Sequence, residues 1–257
     1  MRGKRYGWFP LLFLLLLAGC QNNAIRSDDE GELNRKRLAA LNVQLGAGYM
    51  REGRYDVALE RLNKALQYDP KSADAHTVMA VLHERIGQPD EAERYYRKAV
   101  DLQPDNGEAR NNLGTFLCRQ QKFEQAEAHF RAAWTNPFYK TPVVALTNAG
   151  SCAMKAGRQE QAERYLRQAV RLDPVFPDAL FLLARLLHEQ GEHFKARAFM
   201  QRYEATGQVR PDAYWLAYRI EHALGDQRAS RAYADKLRNQ FPDARETQLL
   251  NKVDKHD

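Results

Sequence analysis

Three stretches of this chain nearly superimpose: "GRYDVALERLNKALQYDP" at 53–70, "GQPDEAERYYRKAVDLQP" at 87–104 and "GRQEQAERYLRQAVRLDP" at 157–174. The first two begin 34 residues apart and the third begins 70 residues after the second, which is two periods plus two. A fixed period of this length means a chain of supersecondary units, none of which can bury its apolar face alone. Each stretch opens on a glycine, suited to the left-handed residue that ends a helix, and closes on a proline that stops the next one. Between them the apolar residues return at helical spacing. A stack of helical hairpins is therefore the expected fold.

The units resemble tetratricopeptide repeats over residues 39–244, and the resemblance implies an all-α superhelical solenoid of six helix-turn-helix repeats. We lay them out as 39–72, 73–106, 107–142, 143–176, 177–210 and 211–244. Close approach of the two helices in a repeat needs small side chains. One such position carries Ala58, Ala92, Ala126, Ala162, Ala196 and Ser230; the facing one carries Gly46, Ala80, Gly114, Gly150 and Ala184. Inter-helix turns carry Gly53, Gly87, Gly157, Gly191 and Gly225. The pattern decays in repeats five and six, as terminal solenoid repeats do where one face meets water. Residues 245–257 read as a short cap or a frayed tail.

The N-terminus, "MRGKRYGWFPLLFLLLLAGC", has a basic start, an apolar run from Leu11 to Leu17 and small residues before Cys20. That run is too short to span a bilayer and reads as the core of a secretory signal, residues 1–19. "LAGC" resembles the bacterial lipobox, which implies lipidation of Cys20 and an anchored chain; Gln21 after the cysteine matches the pattern of outer-membrane delivery. Residues 20–38 then read as lipidated cysteine and tether, with the polar stretch 21–32 flexible. The net charge of +6 carries little weight. Arg2, Lys4 and Arg5 account for half of it, and no basic stripe of the kind that binds nucleic acid follows.

No phosphate loop, nucleophile elbow or zinc-spaced cysteine and histidine pattern is present. The expectations are no catalytic residues, no metal, no cofactor, no small-molecule substrate, and a chain monomeric by itself. Solenoids present surfaces. In the tetratricopeptide layout, first-helix positions 2, 5, 9 and 12 line the concave groove, which puts Ala40, Val43, Ala47 and Met50 there in repeat one. This apolar strip is the candidate contact for an amphipathic or extended partner segment, unless the segment before it folds back as a cover. Repeats five and six place Arg185, His188, Arg219 and His222 at groove positions, either a second contact or a solvated face.

The beat breaks at "NPFYKTPVVALTNAGSC", residues 136–152, where the interval lengthens by two. Cys118 and Cys152 fall on the first helices of successive repeats, and export would put them in an oxidising compartment. A Cys118–Cys152 disulfide is the expectation, against two buried free thiols. The lipobox, the six repeats, "NNLGTFLCRQ" (111–120) and this loop together resemble the PilF/PilW lipoproteins of type IV pilus biogenesis. That resemblance implies a pilotin, a lipoprotein on the periplasmic side of the outer membrane. It binds the pilus secretin subunit and promotes its localisation and multimerisation. A general periplasmic adaptor scaffolding peptidoglycan enzymes is the alternative.

Overall fold

The computed structural model describes the backbone of residues 18–253 and the side chains of residues 30–253. Thirteen α-helices and no strand occur among the described residues. The chain divides into two compact units, Met1–Leu102 and Gln103–Asp257. The first unit holds α1 (Ala18–Arg51), α2 (Tyr55–Tyr68), α3 (Ala73–Arg85) and α4 (Pro89–Leu102). The second holds α5 (Gly107–Arg119), α6 (Phe123–Trp134), α7 (Pro142–Lys155), α8 (Gln159–Leu172), α9 (Pro177–Glu189) and α10 (His193–Glu204). It continues with α11 (Pro211–Ala223), α12 (Gln227–Gln240) and α13 (Arg245–Val253). Helices pair in sequence order, α1 with α2 through α11 with α12, so the all-α tetratricopeptide fold expected from the repeat is the fold observed.

The small-residue positions explain the pairing. Ala58, Ala92, Ala126, Ala162 and Ala196 are fully buried. A Cβ placed on Gly46 would lie 2.8 Å from Leu62 Cγ, on Gly114 2.9 Å from Phe130 Cδ1, and on Gly150 2.6 Å from Leu166 Cγ. These three hairpins thus close by seating one large side chain over a residue that has none. The turns behave as the glycines require: Gly53, Gly87, Gly157, Gly191 and Gly225 have φ between +72° and +80°. Repeat three has no glycine there, and Gln121 takes the same conformation at φ +60°. Repeat five lacks the closing proline, and Gly207 at φ +75° ends its second helix instead.

One feature differs from the sequence reading. Residues 20–38, expected as a tether, lie within α1, which begins at Ala18. Polar composition alone does not unwind a helix that contains no proline, and Lys36 Nζ pairs with Glu32 Oε1 one turn away at 2.7 Å. Of the two readings of the C-terminal segment, a cap or a frayed tail, residues 245–253 take the first: they form α13. Leu250 of α13 is fully buried with Leu237, Tyr214 and Tyr218, and the Thr247 hydroxyl donates to the Phe241 carbonyl at 2.6 Å. The expected signal run Leu11–Leu17 and the side chain of Cys20 lie outside the described residues. Among the described residues, no helix is long and apolar enough to cross a membrane.

Candidate functional site

The face of α1 turned toward α2 and α3 is set by Ala39, Asn42, Gly46 and Met50, all buried. Met50 is therefore a correction to the expected groove. It is only 4% exposed and packs with Ala58, Leu62, Met79 and Leu82 at the core of the first unit. The reason is the neighbouring repeat: α3 packs on α1, and Arg85 Nη1 donates to the Met50 carbonyl at 3.2 Å, holding the two helix ends together. Ala40 is exposed, and Val43 and Ala47 are half-buried. The larger apolar groups that α1 presents are Leu33, Leu41 and Leu45, which fall on one four-residue row interrupted by Arg37. This solvent-facing strip beside the expected groove was missed because a repeat template assigns those positions to no groove.

In the second unit, Cys118 of α5 and Cys152 of α7 form a disulfide, with S–S 2.14 Å and Cα–Cα 5.8 Å. Both residues are buried. The long interval between the repeats is taken up by the loop after α6. Asn136 organises it: its side-chain amide donates to the Asp105 carbonyl, its Oδ1 accepts from the Phe138 N–H at 2.9 Å, and its carbonyl accepts from the Tyr139 N–H at 3.1 Å. Tyr139 folds onto the start of α5, where a Cβ on Gly107 would lie 2.6 Å from the ring. Burial there raises the Tyr139 phenol above its ordinary value. Trp134 packs on Tyr165, ring centroids 5.2 Å apart. Of the loop aromatics it is Phe138, 86% exposed, that meets solvent. It borders two open clefts of about 800 and 370 Å³.

The groove positions of repeats five and six are divided between packing and surface. His188 is 8% exposed, with Nδ1 3.1 Å from Nδ1 of His193, so one ring holds the proton that the other accepts. Burial first, then the charges of Arg219 and His193, push the His188 imidazole down to about 4. Arg219 and His222 are exposed, and on the same helix Trp215, Tyr218 and His222 stack in series. Arg185 is half-exposed but its Nε is buried without a hydrogen bond. No group of three or more metal-ligating side chains occurs among the described residues.

Tetratricopeptide-repeat family models match residues 37–105, and again 77–137 and 147–213. The type IV pilus assembly protein PilF of Pseudomonas aeruginosa is 30% identical over 199 residues, covering 77% of this chain and 79% of that protein. The chain belongs to the PilF/PilW family. The crystal structure of PilW, a widely conserved type IV pilus biogenesis factor, superposes with a TM-score of 0.74 at 32% identity. The match covers 83% of this chain and 98% of PilW. The structure of P. aeruginosa PilF gives 0.73 at 28% identity, covering 86% of this chain and 99% of that one. The likeness takes in nearly all of those two solved chains.

Proposed function

We propose that this chain is an outer-membrane lipoprotein that binds the type IV pilus secretin subunit and promotes its localisation and multimerisation. The observation that carries the reading is the match to PilF and PilW along almost the full length of their solved structures. Lipidation of Cys20 supplies the anchor: several acyl chains, at about 0.8 kcal/mol per buried CH₂, hold a protein where one chain would not. Contact with the secretin runs through the α1 strip around Ala40, Val43 and Ala47, flanked by Leu41 and Leu45.

The test compares secretin multimers in outer-membrane fractions from cells with the protein, without it, and with Cys20→Ala. Loss of multimers in the deletion and misplacement with Cys20→Ala are expected. Unchanged multimers in all three would reject the reading and favour an adaptor that scaffolds cell-wall enzymes.

A further inference from the structure

Among the described residues of the second unit, five large apolar side chains are exposed, and four of them stand at one end of the stack. Helices α5, α7, α9 and α11 begin at that end and α6, α8 and α10 finish there, so the loops between hairpins gather along it. Phe138 is exposed in the loop after α6, Leu172 and Val175 at and beyond the end of α8, and Val209 in the loop after α10. The fifth, Phe194, sits at the start of α10, at the opposite end. The fold does not demand apolar side chains in these loops. After α2, the Lys71 N–H donates to Asp69 Oδ1 at 3.0 Å across Pro70. The Phe138 N–H makes the same bond to Asn136 Oδ1 at 2.9 Å, and the Val175 N–H to Asp173 Oδ1 at 3.1 Å. One turn geometry therefore displays lysine in the first unit and phenylalanine or valine in the second. Such loop positions are ordinarily polar, so folding alone leaves the apolar choice unexplained.

Shape and charge select the occupant. The loops are held: Arg202 Nη2 donates to the Pro174 carbonyl at 2.8 Å, and Arg210 Nη1 lies 3.1 Å from Asp178 Oδ1, tying the loop after α10 to the start of α9. Side chains displayed on a fixed backbone lose little freedom when they are buried. Neither cleft beside Phe138 reaches Leu172, Val175 or Val209, so the four are spaced projections rather than the wall of one groove. A bilayer interface admits such projections without a matching set of pockets, its hold growing with buried apolar area and with attraction to anionic lipid. Lys140, Arg171 and Arg202 are exposed beside these projections and have no ion pair among the described residues. Of the carboxylates at this end, Asp178 and Asp212 are paired with Arg210, and Asp173 accepts from its own loop. Asp105 and Glu108 stand at the start of α5, away from Leu172, Val175 and Val209. Cations on long stems next to apolar tips suit lipid phosphates above an acyl layer.

We infer that this end of the second unit binds an anionic lipid surface, with Phe138, Leu172, Val175 and Val209 entering the interface and Lys140, Arg171 and Arg202 meeting phosphate groups. The contact needs no acyl chain on the protein and no secretin, so it stands or falls independently of the reading above. The probe is vesicles of phosphatidylethanolamine and phosphatidylglycerol, co-sedimented with purified mature protein carrying Cys20→Ser. Binding that falls in raised salt, and that is weaker to vesicles of phosphatidylcholine, is expected. Phe138→Ser should weaken it about tenfold and Arg171→Gln about fivefold. Phe194→Ser, at the opposite end, should leave it unchanged, and circular dichroism checks that each variant is folded. No binding to the anionic vesicles, equal binding to both kinds, or an equal loss with Phe194→Ser and Phe138→Ser would overturn the inference. Unaltered binding by folded Phe138→Ser/Val175→Ser protein would also overturn it. If that same variant lowered secretin multimers in cells, the projections would be a protein contact instead.

Discussion

Gln121 does with a full side chain what five glycines do elsewhere, at φ +60°. A left-handed conformation costs a residue bearing a Cβ about 1–2 kcal/mol relative to glycine, part of which glycine returns through its greater freedom when unfolded. Gln121→Gly is therefore expected to stabilise the protein by about 0.5–1 kcal/mol, measured by urea denaturation. His188 makes a second residue-scale prediction. Its folded-state value of about 4 lies below the ordinary 6.5, so the unfolded chain takes up the proton first. The stability present at neutral pH is lost as pH falls from about 6.5 toward 4, by up to about 3 kcal/mol. Thermal melts across that range should show a smaller acid-side decline in His188→Gln than in the parent; identical declines would mean the imidazole is already charged when folded. Neither effect was legible in the sequence. Gln121 occupies a glycine position without looking like one. His188 sits at a groove position in the repeat template, yet its ring is covered by neighbours that only the packing reveals.

Helix packing is where the sequence speaks most clearly, because hairpin closure depends on which residues are small. Gly150 has Leu166 directly above it, close enough that a Cβ would reach 2.6 Å. Gly150→Val should cost about 1–3 kcal/mol by overpacking, read as a lowered denaturation midpoint. The Cys118–Cys152 bond links α5 to α7 across a sequence separation of 34. On the chain-entropy account, Cys152→Ala should destabilise by up to roughly 4 kcal/mol. A free-thiol assay on denatured, unreduced mature protein should find neither of these sulfurs reactive; reaction of both would mean the native protein carries thiols. The spacing brought these cysteines onto neighbouring helices in the sequence reading. What it could not show is the route of the intervening loop, with Tyr139 turned inward over Gly107 and Phe138 outward. Two aromatics one residue apart look alike in a sequence. Which of them is buried depends on the Asn136 hydrogen bonds that shape the loop.

At the scale of the whole molecule, the period dictated the fold, while the chosen contact surface needed revision. Met50 at groove position 12 proved to be core because the repeat that follows it covers that end of α1. Leu41 and Leu45, which the template ignores, are exposed. Met50→Glu would now report on stability, so Val43→Asp is the better probe of the strip. Val43 is half-buried rather than core, and a carboxylate there should spoil an apolar contact while the hairpin stays folded. The most direct measurement is equilibrium binding of the purified mature protein to the purified secretin subunit, by calorimetry, for the parent and for Val43→Asp with its helicity verified. Saturable binding by the parent, weakened at least about tenfold in the variant, is the expected result. No binding by the parent would contradict the secretin reading, and equal binding by the folded variant would remove the contact from α1.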